Sequence, residues 1–176
     1  MPTTARTSAP ESAATAFDTM PERDLHYLLE RLQTDYILAI DDGRLEEWPG
    51  FFTADCLYRI IPKENFDRGL PASVVFCDNR GMLEDRVTSL RTANIYQPHQ
   101  YRHIVSGTRI LERSTDSVRS QCNYVVFQTL QDGETRVYQA GRYIDEIVWS
   151  EGRLRFREKH AVFDTSRVQT LLATPV

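Results

Sequence analysis

The sequence is poor in lysine, cysteine, glycine and proline, and it contains no long hydrophobic run. Its 176 residues include three cysteines, eight glycines and eight prolines. Because 41% of the residues are hydrophobic and 26% are charged, a disordered or low-complexity chain is excluded. No apolar run approaches the roughly 20 residues of a membrane-spanning helix, so we expect no membrane partner. The length predicts one domain with its own hydrophobic core.

The basic residues are almost all arginine. The formal net charge is −4, and nineteen arginines accompany only two lysines, Lys63 and Lys159. A net acidic chain is not typical of proteins that bind nucleic acid by neutralising phosphates, so we expect no nucleic-acid partner. The planar guanidinium group of arginine favours fixed ion pairs and subunit interfaces.

The three cysteines, Cys56, Cys77 and Cys122, are far apart in the sequence and form no Cys-x-x-Cys pair. Each lies in an apolar run, which predicts buried free thiols in a reducing cytoplasm. Residues 1–16 lack the apolar segment of a secretory signal, and this also favours a cytoplasmic location. We predict a flexible tail over residues 1–18 and a single α+β domain over residues 19–176.

Helical patterns occupy the first half of the chain. Thr19 and Glu22 have the spacing of a capping box, and apolar residues then recur at helical spacing until Gly43. A short second helix is predicted over residues 45–52. A third helix is predicted to begin at Asp78 as its N-cap, with Met82 among the residues on its buried face.

Strand patterns dominate the second half. Short strands are predicted over residues 56–61 and 73–77, separated by a polar loop. Four long strands follow, over residues 103–113, 118–130, 135–149 and 153–165, and the Asp132-Gly133 pair predicts a hairpin. Gly141 is a plausible bending point in the third long strand. The predicted fold is therefore a curved antiparallel sheet with about three N-terminal helices packed in its concave side.

The sequence gives no support for a metal or cofactor site in this chain. His99 and His103 are four residues apart, but in a strand they would stand about 13 Å apart and could not share one ion. A Rieske cluster needs two cysteines and two histidines, and no cysteine has a histidine nearby. Glycine patterns that bind nucleotides are also missing from the sequence.

The strongest acid–base candidates lie along the last predicted strand. Glu158, His160 and Asp164 alternate in phase with the apolar residues Leu154 and Phe156, so all would point into a concave interior. Burial there would perturb their pKa values and make them candidate catalytic groups. The alternative is an internal network in which His160 pairs with a carboxylate and with arginines such as Arg142.

Several stretches of the chain carry a family signature. They are residues 42–52 (DGRLEEWPGFF), 62–71 (PKENFDRGLP), 85–91 (DRVTSLR), 93–96 (ANIY) and 101–105 (YRHIV). Together they resemble the small (β) subunits of aromatic-ring-hydroxylating dioxygenases, the Rieske non-haem iron oxygenases. The resemblance covers roughly residues 24–172. Some motifs resemble terephthalate dioxygenase small subunits, and others resemble salicylate 5-hydroxylase small subunits.

The resemblance implies a fold, an assembly and a division of labour. The implied fold is the nuclear-transport-factor-2-like cone, and the implied assembly is a heterohexamer of three large (α) and three small subunits. The large subunit is expected to hold the Rieske [2Fe-2S] cluster, the mononuclear iron and the substrate pocket. Separate reductase or ferredoxin components would deliver electrons from NAD(P)H. This chain would be structural, with no catalytic residue and no cofactor, in the catabolism of a terephthalate-, salicylate-, anthranilate- or benzoate-like carboxylate.

The family signature also predicts where the partner binds. The expected interface residues are Arg86, Arg91, Tyr101, Arg102 and His103, although Arg86 and Arg102 could instead pair internally with Glu84 or Asp85. An alternative function is a stand-alone isomerase, dehydratase or cyclase using His160 or His103 with a nearby carboxylate. A third possibility is a ligand-binding protein without catalysis.

Overall fold

A computed structural model describes residues 16–93, 97–165, 167 and 174–176. Helix α1 spans Glu22–Asp41, and its apolar stripe buries Leu25, Leu29 and Tyr36. The predicted capping box is wrong, because Pro21 occupies the N-cap without a side-chain hydrogen bond and Thr19 donates to the Ala16 carbonyl at 3.1 Å. No helix in the described part of the chain is long and apolar enough to cross a membrane.

The segment after α1 is less helical than predicted. Only a single 3₁₀ turn, Trp48–Phe51, forms where a second α-helix was expected, because Pro49 and Gly50 do not favour a longer helix. Strand β1 then spans Phe52–Pro62, and a short helix α2, Lys63–Asp67, replaces part of the predicted loop.

Strand β2, Val75–Cys77, precedes helix α3, Arg80–Thr92. The N-cap of α3 is Asn79 rather than Asp78, because the Asn79 side chain accepts a hydrogen bond from the Met82 amide at 3.0 Å. The prediction that Met82 is buried is also wrong, since its side chain is exposed. Leu83, the next residue, is buried as predicted.

Four long strands complete the fold. They are β3, His99–Arg113; β4, Ser117–Leu130; β5, Thr135–Ser150; and β6, Arg153–Phe163. They pair consecutively and antiparallel, which confirms the predicted meander. The full strand order is β2-β1-β6-β5-β4-β3. Because β1 pairs parallel with β6, the six-stranded sheet is mixed, with one parallel pair beside the predicted antiparallel strands.

A one-residue bulge in β6 changes which side chains face the interior. Glu146 pairs with Glu158, but the next residue, Ile147, pairs with Phe156, so Arg157 is the extra residue. Such a bulge reverses the alternation of side chains along the rest of the strand. Phe156 and Lys159 therefore both face the core, and His160 faces the opposite, convex side of the sheet.

The core is rich in aromatic rings packed between α1 and the sheet. The Tyr36 ring makes edge contacts with Phe52, Tyr143 and Phe156, with centroid distances of 5.5–6.3 Å. Tyr124 stacks on Tyr143 with 4.3 Å between centroids. The interior is thus filled largely by the chain's own side chains.

The ordered core begins before residue 19. Phe17 is fully buried and stacks on Trp149. The Arg113 guanidinium donates a hydrogen bond to the Phe17 carbonyl oxygen. The predicted boundary of the tail at residue 18 is therefore too late. Residues 1–15, the remainder of that predicted tail, lie outside the described residues.

Two further predictions concern single residues. The three cysteines are free and buried, as expected, and burial raises the pKa of the Cys56 thiol to about 11 and that of Cys122 to about 12. At Gly141, a Cβ atom would lie 2.1 Å from the Val162 carbonyl oxygen on β6. Glycine is therefore required at that position by the close approach of two strands.

Candidate functional site

A surface pocket of about 410 Å³ lies where the end of α1 meets the beginning of β3. Its lining includes Asp41 at the end of α1, Arg91 from α3, and Tyr101 and Arg102 from β3. Asp42, which follows α1, also lines it. Three of the five predicted interface residues, Arg91, Tyr101 and Arg102, therefore line one concavity. The pocket is strongly polar and carries both signs of charge.

Asp41 organises the β3 side of this pocket. Its carboxylate is buried and accepts hydrogen bonds from the His103 backbone amide at 2.8 Å and from His103 Nδ1 at 2.6 Å. Arg102 lies 3.9 Å from the same carboxylate, with its side chain 63% exposed. Asp41 thus fixes the orientation of His103 while leaving most of the Arg102 guanidinium available to a partner.

Arg91 forms the α3 side of the pocket. Its guanidinium donates to both carboxylate oxygens of Glu46, at 2.8 and 3.0 Å, and to the Gly43 carbonyl at 2.7 Å. These hydrogen bonds lower the pKa of the Glu46 carboxyl. A bidentate pair of this kind holds the arginine in one geometry and joins α3 to the turn after α1.

Tyr101 and His99 bring aromatic rings to the lining of the pocket. The Tyr101 ring packs against Tyr138 with 5.1 Å between centroids and against His99 at 4.6 Å. Burial raises the Tyr101 pKa above its usual range, so its hydroxyl stays neutral. His99, which the sequence suggested only as a possible metal ligand, therefore lines this pocket and packs against Tyr101.

Arg86 does not line this pocket. It is half-buried on α3, and its positive charge lowers the pKa values of Tyr58 and Cys77, although burial raises both overall. The predicted pairing of Arg86 or Arg102 with Glu84 or Asp85 is wrong. Among the described residues, Arg102 pairs with Asp41 instead, and Arg86 has no salt bridge.

The opposite face of the sheet carries an exposed apolar strip, formed by Ile104, Val125, Phe127 and Val137. Ile104 pairs with Val125 across β3 and β4, and Phe127 pairs with Val137 across β4 and β5, so all four share the convex face. Ile104 and Val137 are 53% and 54% exposed. Contiguous exposed apolar side chains are typical of protein–protein contact surfaces.

The interior contains a charged cluster that sequence reasoning missed. The Lys159 ammonium is fully buried, 3.3 Å from Asp145 Oδ2 and 3.0 Å from Gln33 Oε1, and Gln33 also donates to Asp145. The rings of Tyr143 and Phe156 lie 3.7 and 4.3 Å from the ammonium nitrogen. Burial lowers the Lys159 pKa and raises that of Asp145, and each partner's charge opposes the shift.

The bulge at Arg157 separates the predicted catalytic residues from the interior. His160 lies on the convex face, where its ring meets Phe66 of α2, and its Nε2 is 3.8 Å from Glu158. Asp164 is exposed beyond the end of β6. The prediction that Glu158, His160 and Asp164 point inward together is wrong, because one additional residue inverts the alternation.

His160 and Arg142, which were predicted to pair, are instead linked through a shared aromatic neighbour, Phe66. Arg142 pairs with Asp67 at 3.2 Å and lies over the Phe66 ring, the same ring that His160 contacts. Burial lowers the His160 pKa to about 4, and the charges of Arg59 and Arg119 add to the shift. His160 is therefore a neutral packing residue beneath α2 at physiological pH.

The described side chains fit neither a Rieske cluster nor a mononuclear iron site. The described residues contain no group of three or more His, Cys, Asp or Glu side chains arranged to hold a metal ion. The thiols have raised pKa values, which disfavours the thiolate form that a cluster requires.

Comparison with known proteins shows which family this chain resembles. The family model described as the ring hydroxylating beta subunit matches residues 37–170. The small subunit of anthranilate 1,2-dioxygenase from Burkholderia cepacia is 53% identical over 145 residues, which cover 82% of this chain and 90% of the relative. Subunit beta 2 of the terminal oxygenase component of terephthalate 1,2-dioxygenase from a Comamonas species is 38% identical, covering 80% and 92%.

A solved structure supports the same assignment. It is the beta subunit assigned to an aromatic-ring-hydroxylating dioxygenase of Novosphingobium aromaticivorans, with a TM-score of 0.80 and 45% identity. The match covers 88% of this chain and 98% of that one. The α+β cone of the nuclear-transport-factor-2-like type is thereby confirmed. This chain belongs to the family of ring-hydroxylating dioxygenase beta subunits, and a large oxygenase subunit is its partner.

Proposed function

We propose that this chain is the structural subunit of an oxygenase that dihydroxylates an aromatic carboxylate, with anthranilate the favoured substrate. The observation that carries the substrate proposal is the 53% identity to an anthranilate 1,2-dioxygenase small subunit, over 90% of that relative. The terephthalate relatives are less similar, at 38% identity. All of these named substrates carry a carboxylate on a single aromatic ring.

Catalysis would take place in the large subunit. We expect that subunit to hold a Rieske [2Fe-2S] cluster and a mononuclear iron, and to receive electrons from NAD(P)H through separate components. The chain described above would contribute shape and contact area. Its filled aromatic interior and its buried, high-pKa thiols support a role without chemistry.

Two surfaces would carry the contacts in a complex of three large and three small subunits. The pocket lined by Arg91, Tyr101 and Arg102 offers a partly exposed arginine beside fixed hydrogen-bonding groups, and the buried His103 lies behind it against Asp41. The convex strip offers apolar area. Interfaces combine such apolar centres with arginine-rich surroundings. Arg86, half-buried and close to Tyr58, would act through the packing of α3 rather than by direct contact.

The alternative is a stand-alone cone enzyme, and only His103 still supports it. The Asp41–His103 pair resembles an acid–base dyad, and His103 Nε2 has no hydrogen-bond partner among the described residues. That nitrogen is buried, however, whereas a substrate must reach it. An isomerase, dehydratase or ligand-binding role would require the purified small subunit alone to bind or convert a small apolar compound.

Co-expression with the large subunit tests the proposal. We expect the two chains to co-elute in size-exclusion chromatography, and the complex to convert anthranilate with a higher kcat/KM than terephthalate or salicylate. The small subunit alone should show no turnover. A small subunit that remains monomeric beside its large subunit, or that acts alone, would contradict the assignment.

Interface variants test the pocket. Arg102→Glu reverses the charge of an exposed side chain and places a second carboxylate beside Asp41. We therefore expect the apparent affinity for the large subunit to fall at least tenfold, so that less of the two chains co-elutes. Arg23→Glu is the matched control, because Arg23 is 95% exposed at the start of α1. Equal effects of the two substitutions would show that the pocket is not the contact surface.

A further inference from the structure

A surface pocket of about 300 Å³, which we call the hairpin pocket, lies between α1, the 3₁₀ turn before β1 and the hairpin that joins β5 to β6. The apolar side chains of its lining are Leu28, Leu32, Phe51, Trp149 and Leu154. Leu28, Phe51 and Trp149 are only partly buried, so the pocket keeps apolar and aromatic surface in contact with solvent. A concavity of this size with such walls is suited to a ligand with a single ring.

Trp149 gives the hairpin pocket an aromatic wall that also carries a hydrogen-bond donor. Phe17 stacks on one face of its ring, with 6.2 Å between centroids, so the other face and the ring edge remain for the pocket. The Trp149 Nε1 atom is buried and has no hydrogen-bond partner among the described residues. Buried donors normally have an acceptor. This wall therefore favours a ligand that combines an aromatic ring with an oxygen acceptor.

The charged groups of the hairpin pocket carry a net positive charge. They are Arg31 and Asp35 of α1 and Arg153 of β6. Arg31 lies 3.8 Å from Asp35, with the two side chains 59% and 52% exposed. Arg153 donates a hydrogen bond to the Gly50 carbonyl at 2.8 Å and forms no salt bridge within the part of the chain that the structure describes. Since the whole chain has a net charge of −4, this local excess of positive charge favours an anion.

We propose that the hairpin pocket binds a small aromatic carboxylate, with its ring against Phe51 and Trp149 and its carboxylate on the Arg153 guanidinium. The hydrogen bond to Gly50 holds the guanidinium at the pocket, and its remaining N–H groups can donate to a carboxylate. A carboxylate without a ring would gain only an exposed ion pair, and a neutral ring would gain only apolar burial. Such a site goes beyond the proposed structural role, since neither the family match nor the relatives assign a ligand to this chain.

Titration of the full small subunit with benzoate at low ionic strength tests the proposal. The chain has two tryptophans, Trp48 and Trp149, so its ¹H–¹⁵N spectrum contains two indole N–H signals, which Trp149→Phe assigns. We expect the Trp149 signal to shift in a saturable manner, with a Kd of roughly 0.1–1 mM. The signal of Trp48, which is fully buried in the core, should stay in place. Acetate lacks the ring and benzyl alcohol lacks the charge, so each should bind about fivefold or more weakly than benzoate.

Two substitutions should change the affinity for benzoate in opposite directions. Arg153→Gln removes the cation and should weaken binding by about threefold or more, whereas Asp35→Asn removes the competing carboxylate and should tighten binding about twofold. Arg68→Gln is the matched control, because Arg68 is 64% exposed and lies outside the hairpin pocket. All three side chains are exposed, so the variants should keep the fold, which circular dichroism checks.

Three results would overturn the proposal: no saturable shift of the Trp149 signal, equal binding of benzoate, acetate and benzyl alcohol, or equal effects of Arg153→Gln and Arg68→Gln. Loss of co-elution with the large subunit in Arg153→Gln, without benzoate binding to the natural chain, would overturn it as well and would assign the hairpin pocket to a protein contact. Binding is measured on the small subunit alone. It can therefore fail while the two chains still co-elute and the complex still hydroxylates its aromatic substrate.

Discussion

Two adjacent residues of β6, Lys159 and His160, face opposite sides of the sheet and meet different physical conditions. Lys159 enters the interior and is held by Asp145, Gln33 and aromatic rings. His160 lies on the convex face under α2, against Phe66, with its Nε2 lacking a hydrogen-bond partner among the described residues. The fold therefore tolerates the buried charge of Lys159, because partners surround it. The His160 ring lacks such partners and stays neutral.

The largest effect is expected on the concave side. Lys159→Met removes the cation and leaves the Asp145 carboxyl, whose pKa burial already raises, without its charged partner. Breaking a buried pair from one side costs about 3–5 kcal/mol of unfolding free energy. Urea denaturation followed by circular dichroism measures the change.

The double variant sharpens this prediction. Lys159→Met combined with Asp145→Asn removes both charges, and the asparagine keeps a polar partner for Gln33. We expect the double variant to be more stable than Lys159→Met alone. If the double variant is less stable than Lys159→Met, the unpaired Asp145 carboxylate is not the cause of the stability loss in the single variant.

The second effect concerns pH on the convex side. His160 has a pKa of about 4 in the folded chain, against 6.5 for an unperturbed histidine. As the pH falls below 6.5, the unfolded chain binds this proton first, so the folded chain loses about 3 kcal/mol of stability by pH 4. Above pH 6.5, His160 is neutral in both the folded and the unfolded chain, so this loss of stability is absent.

His160→Gln isolates that contribution, because glutamine does not titrate and the other acidic groups remain. The difference in unfolding free energy between the natural chain and the variant should change with pH between 6.5 and 4 and stay constant from pH 7 to 8. Parallel curves across the whole range would mean that His160 titrates normally in the folded chain.

The smallest effect is expected at the exposed ion pair of the convex face. Arg157 Nε lies 2.9 Å from Glu146 Oε2, and the arginine side chain is 42% exposed. Arg157→Gln should therefore cost less than about 1 kcal/mol, and the cost should shrink in high salt. Arg119→Gln, which removes a more exposed pair with Glu112, is the control and should cost less still. A loss above 2 kcal/mol at Arg157 would point to a role of the bulge itself.

Local patterns predicted the parts of this fold that depend on neighbouring residues. The apolar stripe of α1 and the turn at Asp132-Gly133 both agree with the structure. The parallel pairing of β1 with β6 could not be derived, because it joins segments about 100 residues apart and has no local signature. The N-cap of α3 was missed by one residue, since Asp78 and Asn79 are both favourable caps.

Local patterns predicted only part of the candidate site, because some of its residues come from distant segments of the chain. Tyr101 and Arg102 of the YRHIV motif line the pocket together with Arg91. The acidic partners of the two arginines, Asp41 and Glu46, come from the end of α1 and the turn that follows. The prediction that Glu158, His160 and Asp164 share an interior face failed at Arg157, because an extra residue in a strand leaves no clear trace in a pattern of period two. The buried environment of Lys159 could not be derived from local pattern, because its partners Asp145 and Gln33 lie 14 and 126 residues away in the sequence.

Asp41 has a consequence for how this molecule avoids self-association. Strand β3 is at the edge of the sheet, where unpaired backbone amides can template the addition of a foreign strand. The Asp41 carboxylate already accepts the outward amide of His103, and Arg102 presents a charge beside it. An incoming strand would have to displace a buried carboxylate to use that amide, so the margin of the sheet is protected against fibril-like stacking at this point.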